Sequence, residues 1–127
     1  MTQDKESGGK AAKFGLRAAA AVGEKIGAKK VNPRANEFEF KGQRVTIRMA
    51  HLDTNQVGVL YSMLERVQAV IGAFEISTNE YELLSVPSAT FKQSLRDSNT
   101  GNGRVGLVRK SVFVEKGKLV ANVTLPA

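Results

Sequence analysis

The chain has 127 residues, 42% of them hydrophobic, with six Phe, two Tyr and neither Trp nor Cys; this is enough for one core and too short for two ordinary domains. Nineteen Lys and Arg against twelve Asp and Glu leave a formal charge of +7 and an isoelectric point near 9.9, which favours polyanionic partners electrostatically. The absence of cysteine excludes disulfides, thiolate zinc sites and a cysteine nucleophile, and the apolar content does not fit disorder over the whole length.

Residues 1–9 are polar, end in Gly-Gly and show no periodicity, so a flexible tail is expected before a single domain over 10–127. From Lys10 to Ile26 the Ala-rich segment favours a helix, with Phe14, Ala18, Val22 and Ile26 on one face. Gly27 is its expected C-cap. Lys10, Lys13, Arg17 and Lys25 fall off the apolar line and make the other side basic. The next segment, with Lys29, Lys30, Pro33 and Arg34, reads as a loop.

Alternation then takes over. Phe38 and Phe40 alternate with Glu37 and Glu39, and Val45, Ile47 and Met49 with Arg44, Thr46 and Arg48. This predicts a hairpin turning at Lys41-Gly42, with Phe38 opposite Val45, Glu39 opposite Arg44 and Glu37 opposite Thr46. Val57, Leu60, Leu64 and Val67 recur at helical spacing, so a second helix is expected from Asp53 or Thr54 to about Ala69. A strand buried on both faces follows in Val70–Ile76, then a turn at Thr78-Asn79 and a strand closed by Pro87. Ser88 is the expected cap of a short helix carrying Phe91 and Leu95. Residues 96–103 read as a loop, and the remainder as two strands turning at Lys116-Gly117.

The expected fold is α+β, a mixed α/β domain of about three helices around a mixed or largely antiparallel sheet, in the order α-ββ-α-ββ-α-ββ. No span is long and apolar enough for a bilayer and no secretory leader is visible, so a cytoplasmic protein without a membrane partner is expected.

The charged cluster on predicted regular structure is the polar face of the hairpin: Glu37, Glu39, Arg44, Thr46 and Arg48. One reading makes Glu39 and Arg44 a cross-strand ion pair of a few tenths to about 1 kcal/mol on a wet face. The other starts from the layout, in which a helix carrying Glu24 precedes the hairpin, a second helix and a buried strand. In that arrangement the chain resembles the PD-(D/E)XK, or restriction-endonuclease-like, superfamily. The resemblance implies acids from the first helix and first strand, and an acid-x-Lys pair on the next strand, around a divalent metal that activates water. The matching positions are Glu24, Glu37 or Glu39, and Thr46 with Arg48. Thr46 carries no carboxylate charge, and Arg48 steadies a phosphate better than it acts as a base.

Single residues elsewhere offer less. His51, near Asp53, has no nucleophile beside it in the sequence. Ser62, Ser88 and Ser111 lack a nucleophile-elbow context. Gly101, Gly103 and Gly106 lack the Lys-Ser/Thr ending of a phosphate loop. Tyr61, Phe74, Tyr81, Phe91 and Phe113 are expected mostly in the core.

The function expected is that of a small basic nucleic-acid-binding protein holding a phosphate backbone, DNA before RNA. Its expected contacts are Lys10, Lys13, Arg17, Lys25, Lys29, Lys30, Arg34, Arg44, Arg48, Arg104, Arg109 and Lys110, and binding needs no cofactor. The alternatives are a Mg- or Mn-dependent nuclease using Glu24, Glu37, Glu39 and Arg48, and a structural or adaptor subunit with a protein partner or a second copy of itself.

Overall fold

The computed structural model describes residues 17–32, 36–100 and 103–126. The expected tail, Lys10, Lys13, Phe14 and Arg34 lie outside them. Helix α1 (residues 17–26) buries Ala18, Ala19 and Val22 and ends at Gly27. There a φ of 79° lets the amides of Gly27 and Ala28 return to the carbonyls of Glu24 and Gly23, closing the helix as its sequence predicts.

The segment expected as a loop after α1 instead forms β1 (Lys29–Asn32), an edge strand antiparallel to β2 (Glu37–Phe40). Its two lysines misled, because they sit where charge protects a sheet edge. Strand β2 turns into β3 (Gln43–Ala50) through Lys41 and Gly42, at φ 51° and 78°. Two successive positive values give a two-residue turn whose twist matches its strands. The register is as predicted, pairing Phe38 with Val45, Glu39 with Arg44 and Glu37 with Thr46.

The second predicted helix is largely absent. Its place is taken by β4 (Gln56–Leu60) and a single turn of helix, α2 (Tyr61–Leu64). Val57 and Val59 are both buried while Gly58 between them faces outward against Leu107 and Val105, a two-residue alternation that outweighs the four-residue spacing. Strand β5 (Ala69–Ser77) is buried along most of its length, and β6 (Glu80–Pro87) follows a turn in which Asn79 takes φ 62°. Both match expectation.

Helix α3 (Ser88–Ser94) also forms, but Ser88 does not cap it. Its hydroxyl donates instead to the Val67 carbonyl at 2.7 Å. The expected loop at 96–103 contains β7 (Arg96–Thr100), paired with β8 (Gly103–Arg109). The expected C-terminal hairpin is replaced by α4 (Lys110–Lys116) and β9 (Lys118–Thr124), and β8 and β9 belong to different sheets. The Val112-Phe113-Val114 run imitates a strand, yet of the three only Phe113 is fully buried and Val114 is exposed. One inward side chain per turn suits a surface helix.

The described residues thus hold four helices rather than three, with a six-stranded mixed sheet ordered β1-β2-β3-β5-β6-β9 and a three-stranded sheet ordered β4-β8-β7. The pair β3–β5 is parallel and the other described pairs are antiparallel. Alternation gives the large sheet two apolar faces. One face, with Phe38, Val45, Ile47, Ile71 and Leu83, packs under α1. The other, with Ala50, Val70, Phe74, Leu84 and Val86, packs under the small sheet and α2–α4. Phe113 sits edge-on to Phe74 and Phe91, with ring centroids 5.1 and 6.2 Å away, a favoured aromatic geometry. Among the described residues no helix is long and apolar enough to cross a membrane.

Candidate functional site

Phe38, Val45 and Ile47 lie on the α1 face, so the side chains alternating with them, Glu37, Glu39, Arg44, Thr46 and Arg48, lie on the opposite face. The centre of this group is Glu37. Its side chain is only 6% exposed and holds two guanidinium groups: Arg44 Nη1 donates to Oε2 at 3.0 Å and Arg66 Nε to Oε1 at 3.2 Å. Both arginines remain about half exposed. An arginine offers five N–H donors, so each keeps donors free for solvent or a ligand.

The predicted ion pair is therefore corrected in its partner. Arg44 is opposite Glu39, yet it reaches diagonally to Glu37, where burial strengthens the attraction and Arg66 completes the clamp. Glu39 stays exposed. Thr46, cross-strand from Glu37, is buried, and its hydroxyl has no hydrogen-bond partner among the described residues.

The positions of both arginines are fixed by backbone bonds. Gln68 clasps Arg44 twice, its backbone amide donating to the Arg44 carbonyl at 2.8 Å and its side-chain oxygen accepting from the Arg44 amide at 3.0 Å. The Ser88 amide donates to the Gln68 carbonyl and the Ser88 hydroxyl to the Val67 carbonyl. Arg66 is held by this anchored segment. Nothing in the periodicity of the sequence marks Arg66, since its contact with Glu37 spans 29 positions.

Arg48 shares the face, two residues beyond Thr46, where β2 no longer runs alongside β3. It touches solvent, but the atoms crowding its head push its pKa below the ordinary arginine value; the guanidinium nevertheless stays charged. It has no carboxylate partner within 4.0 Å among the described residues.

Glu24 does not join this group. It is exposed on α1, on the far side of the large sheet. Among the described residues no three Asp, Glu, His or Cys side chains come together to hold a metal ion, so Glu24, Glu37 and Glu39 do not fit the divalent ion that the nuclease alternative requires.

The predicted nucleic-acid contacts divide the same way. Arg17 and Lys25 are exposed on α1, and Lys29 and Lys30 line the β1 edge. Arg104, Arg109 and Lys110 belong to the small sheet and α4, on the side of Arg44 and Arg48. Arg104 is engaged by Asp97 at 3.2 Å and lies 4.8 Å above the Tyr61 ring, while Lys110 lies 4.0 Å from Glu82 and 5.6 Å above Phe74. Asp97 also accepts the Tyr61 hydroxyl at 2.6 Å, a bond that holds the Asp97 carboxyl below its usual range and pushes the phenol up. His51 lies 3.5 Å from Glu75. Phe74, Tyr81, Phe91 and Phe113 are buried as expected. Comparison of the chain with family models, with curated proteins and with solved structures finds no match.

Proposed function

We propose that this chain binds nucleic acid, DNA before RNA, by holding its phosphate backbone without catalysing a reaction. The observation that carries the proposal is the clamp: buried Glu37 fixes Arg44 and Arg66 on the sheet face that also presents Arg48. Three guanidinium charges stand there against the two carboxylates of Glu37 and Glu39. Guanidinium donors match phosphate oxygens in pairs, and a side chain already held in place loses less freedom on binding. Glu37 is best understood as a positioning residue, since both of its oxygens are occupied by arginine. DNA is preferred because four of the five aromatic residues considered are buried and the Tyr61 ring is covered by Arg104, which leaves little for stacking unpaired bases.

The test is the anisotropy of a labelled DNA duplex titrated with the full chain over a series of salt concentrations, with an RNA hairpin as comparison. Log affinity should fall linearly with log salt, and each of Arg44→Ala, Arg48→Ala and Arg66→Ala should lower the slope by about 0.9. No binding at low salt, or a slope unchanged in all three variants, would refute the proposal.

A further inference from the structure

A separate groove of about 340 Å³ opens on the α1 side of the large sheet. Lys25 and Ile26, at the C-terminal end of α1, line it with Phe40 and Lys41 of the hairpin and with Val120, Ala121, Asn122, Val123 and Thr124 of β9. Five consecutive residues of one strand meet a single groove only where the groove runs along the backbone, because their side chains alternate between faces. β9 is also an edge: it pairs with β6 and with no other described strand. Alternate N–H and C=O groups along its free side are therefore unpaired within the sheet.

The charge pattern of β9 differs from that of the opposite edge. β1 carries Lys29 and Lys30 side by side, which discourages further pairing, while each edge strand has one register break, after Lys30 in β1 and between Leu119 and Ala121 in β9. β9 has a charge only at Lys118, and its Leu119 is exposed. Lys25 and Lys41 meet no carboxylate within 4.0 Å among the described residues, and Lys41 Nζ sits 5.2 Å above the Phe40 ring. The groove therefore joins a free strand edge, a partly apolar floor and two unneutralised ammonium groups.

We propose that this groove binds an extended acidic peptide by strand addition along β9, with Lys25 and Lys41 receiving its carboxylate. A peptide matches the edge because it supplies donors and acceptors in alternation. A phosphate backbone offers only acceptors, which the free carbonyls of β9 repel. The site is independent of the arginine clamp, which lies on the other face.

The probe is the acetylated and amidated hexapeptide Thr-Val-Glu-Val-Thr-Val, titrated into the isotope-labelled full chain and followed by amide chemical shifts. Saturable shifts in 118–124, Lys25 and Lys41 are expected. Replacing the peptide Glu by Gln should weaken binding by about tenfold or more, and so should the double variant Lys25→Met, Lys41→Met. N-methylation of alternate peptide amides should abolish binding without altering the protein, so the result does not depend on a variant folding. Absence of saturable shifts, equal binding of the Gln peptide, or shifts centred on Arg44 and Arg66 would overturn the proposal. So would displacement of the peptide by an oligothymidylate that shifts the same β9 residues.

Discussion

Tyr61 donates its phenolic proton to Asp97 across 2.6 Å, joining the single-turn helix α2 to β7, one of the two outer strands of the small sheet. The bond favours the carboxylate and the neutral phenol together, lowering one pKa and raising the other. Asp97 therefore contributes stability that is present above the unfolded carboxylate value and is lost as pH falls through its lower folded value. Tyr61 contributes stability present below the unfolded phenol value, lost as pH rises through its higher folded one. Asp97→Asn should flatten the acid limb of a stability profile. In an absorbance titration it should also bring the Tyr61 step down while Tyr81, raised chiefly by burial, stays where it is. If both phenols titrate as before, the hydrogen bond does not form in solution.

Glu37→Gln tests the clamp with opposite signs for two simple ideas. The amide presents a donor to a guanidinium donor, so at least one of the two arginine contacts fails and stability should drop by about 1–2 kcal/mol, the arginines being half solvated. Binding to DNA should weaken even though the protein gains positive charge. If affinity rises instead, net charge governs binding and arginine position does not.

Ser88→Ala should act at a distance. Its hydroxyl satisfies the Val67 carbonyl inside the protein, and removing it leaves a buried acceptor unpaired at a cost of about 1–3 kcal/mol. The same change frees the segment carrying Arg66, so the Arg66 contribution to DNA affinity should shrink. A double-mutant cycle of Ser88→Ala with Arg66→Ala measures this; strict additivity would show that the two sites are uncoupled.

Opposite faces of one sheet cannot both meet the same straight duplex. Arg17→Ala with Lys25→Ala, on the α1 side, should leave the salt slope of DNA binding nearly unchanged, while Arg44→Ala with Arg66→Ala should lower it by about 2. Equal effects from the two pairs would point to diffuse attraction by the +7 chain.

Gly72→Ala probes the packing beneath α4. A methyl group there would come within 2.5 Å of the Phe74 ring and 3.3 Å of Phe113, so repacking should cost about 1–3 kcal/mol. Denaturant unfolding reads it directly, and an unchanged midpoint would mean that the aromatic cluster yields freely.

The hairpin was legible in the sequence because strict alternation and a two-residue turn leave one register in which Phe38, Phe40, Val45, Ile47 and Met49 all turn toward the α1 side of the core. β4 was not, since Val57 and Leu60 fit a helix while Val57 and Val59 fit a strand, and only the partner β8 decides between them. β7 is hidden by its Asp, Ser and Asn residues, whose turn preference yields to pairing with β8. Within the candidate site, Arg44, Arg48 and Glu37 stood out through alternation. Arg66 did not, because its place depends on a chain reversal and a bond to Glu37 that no local pattern encodes.

β3 and β5 are neighbours in the large sheet, yet the chain between them departs to begin the small one. β4 finds its partner only when Gln56 meets Arg109, after β5, β6 and β7 have all been passed. Pairings so distant along the chain slow the search for the native state, because loops must close before their contacts give any return. The interlacing also ties the two sheets together. Val57, Val59 and Val108 of one share a core with Val70 and Phe74 of the other, so neither sheet can open without exposing its neighbour, and melting should proceed as one concerted event.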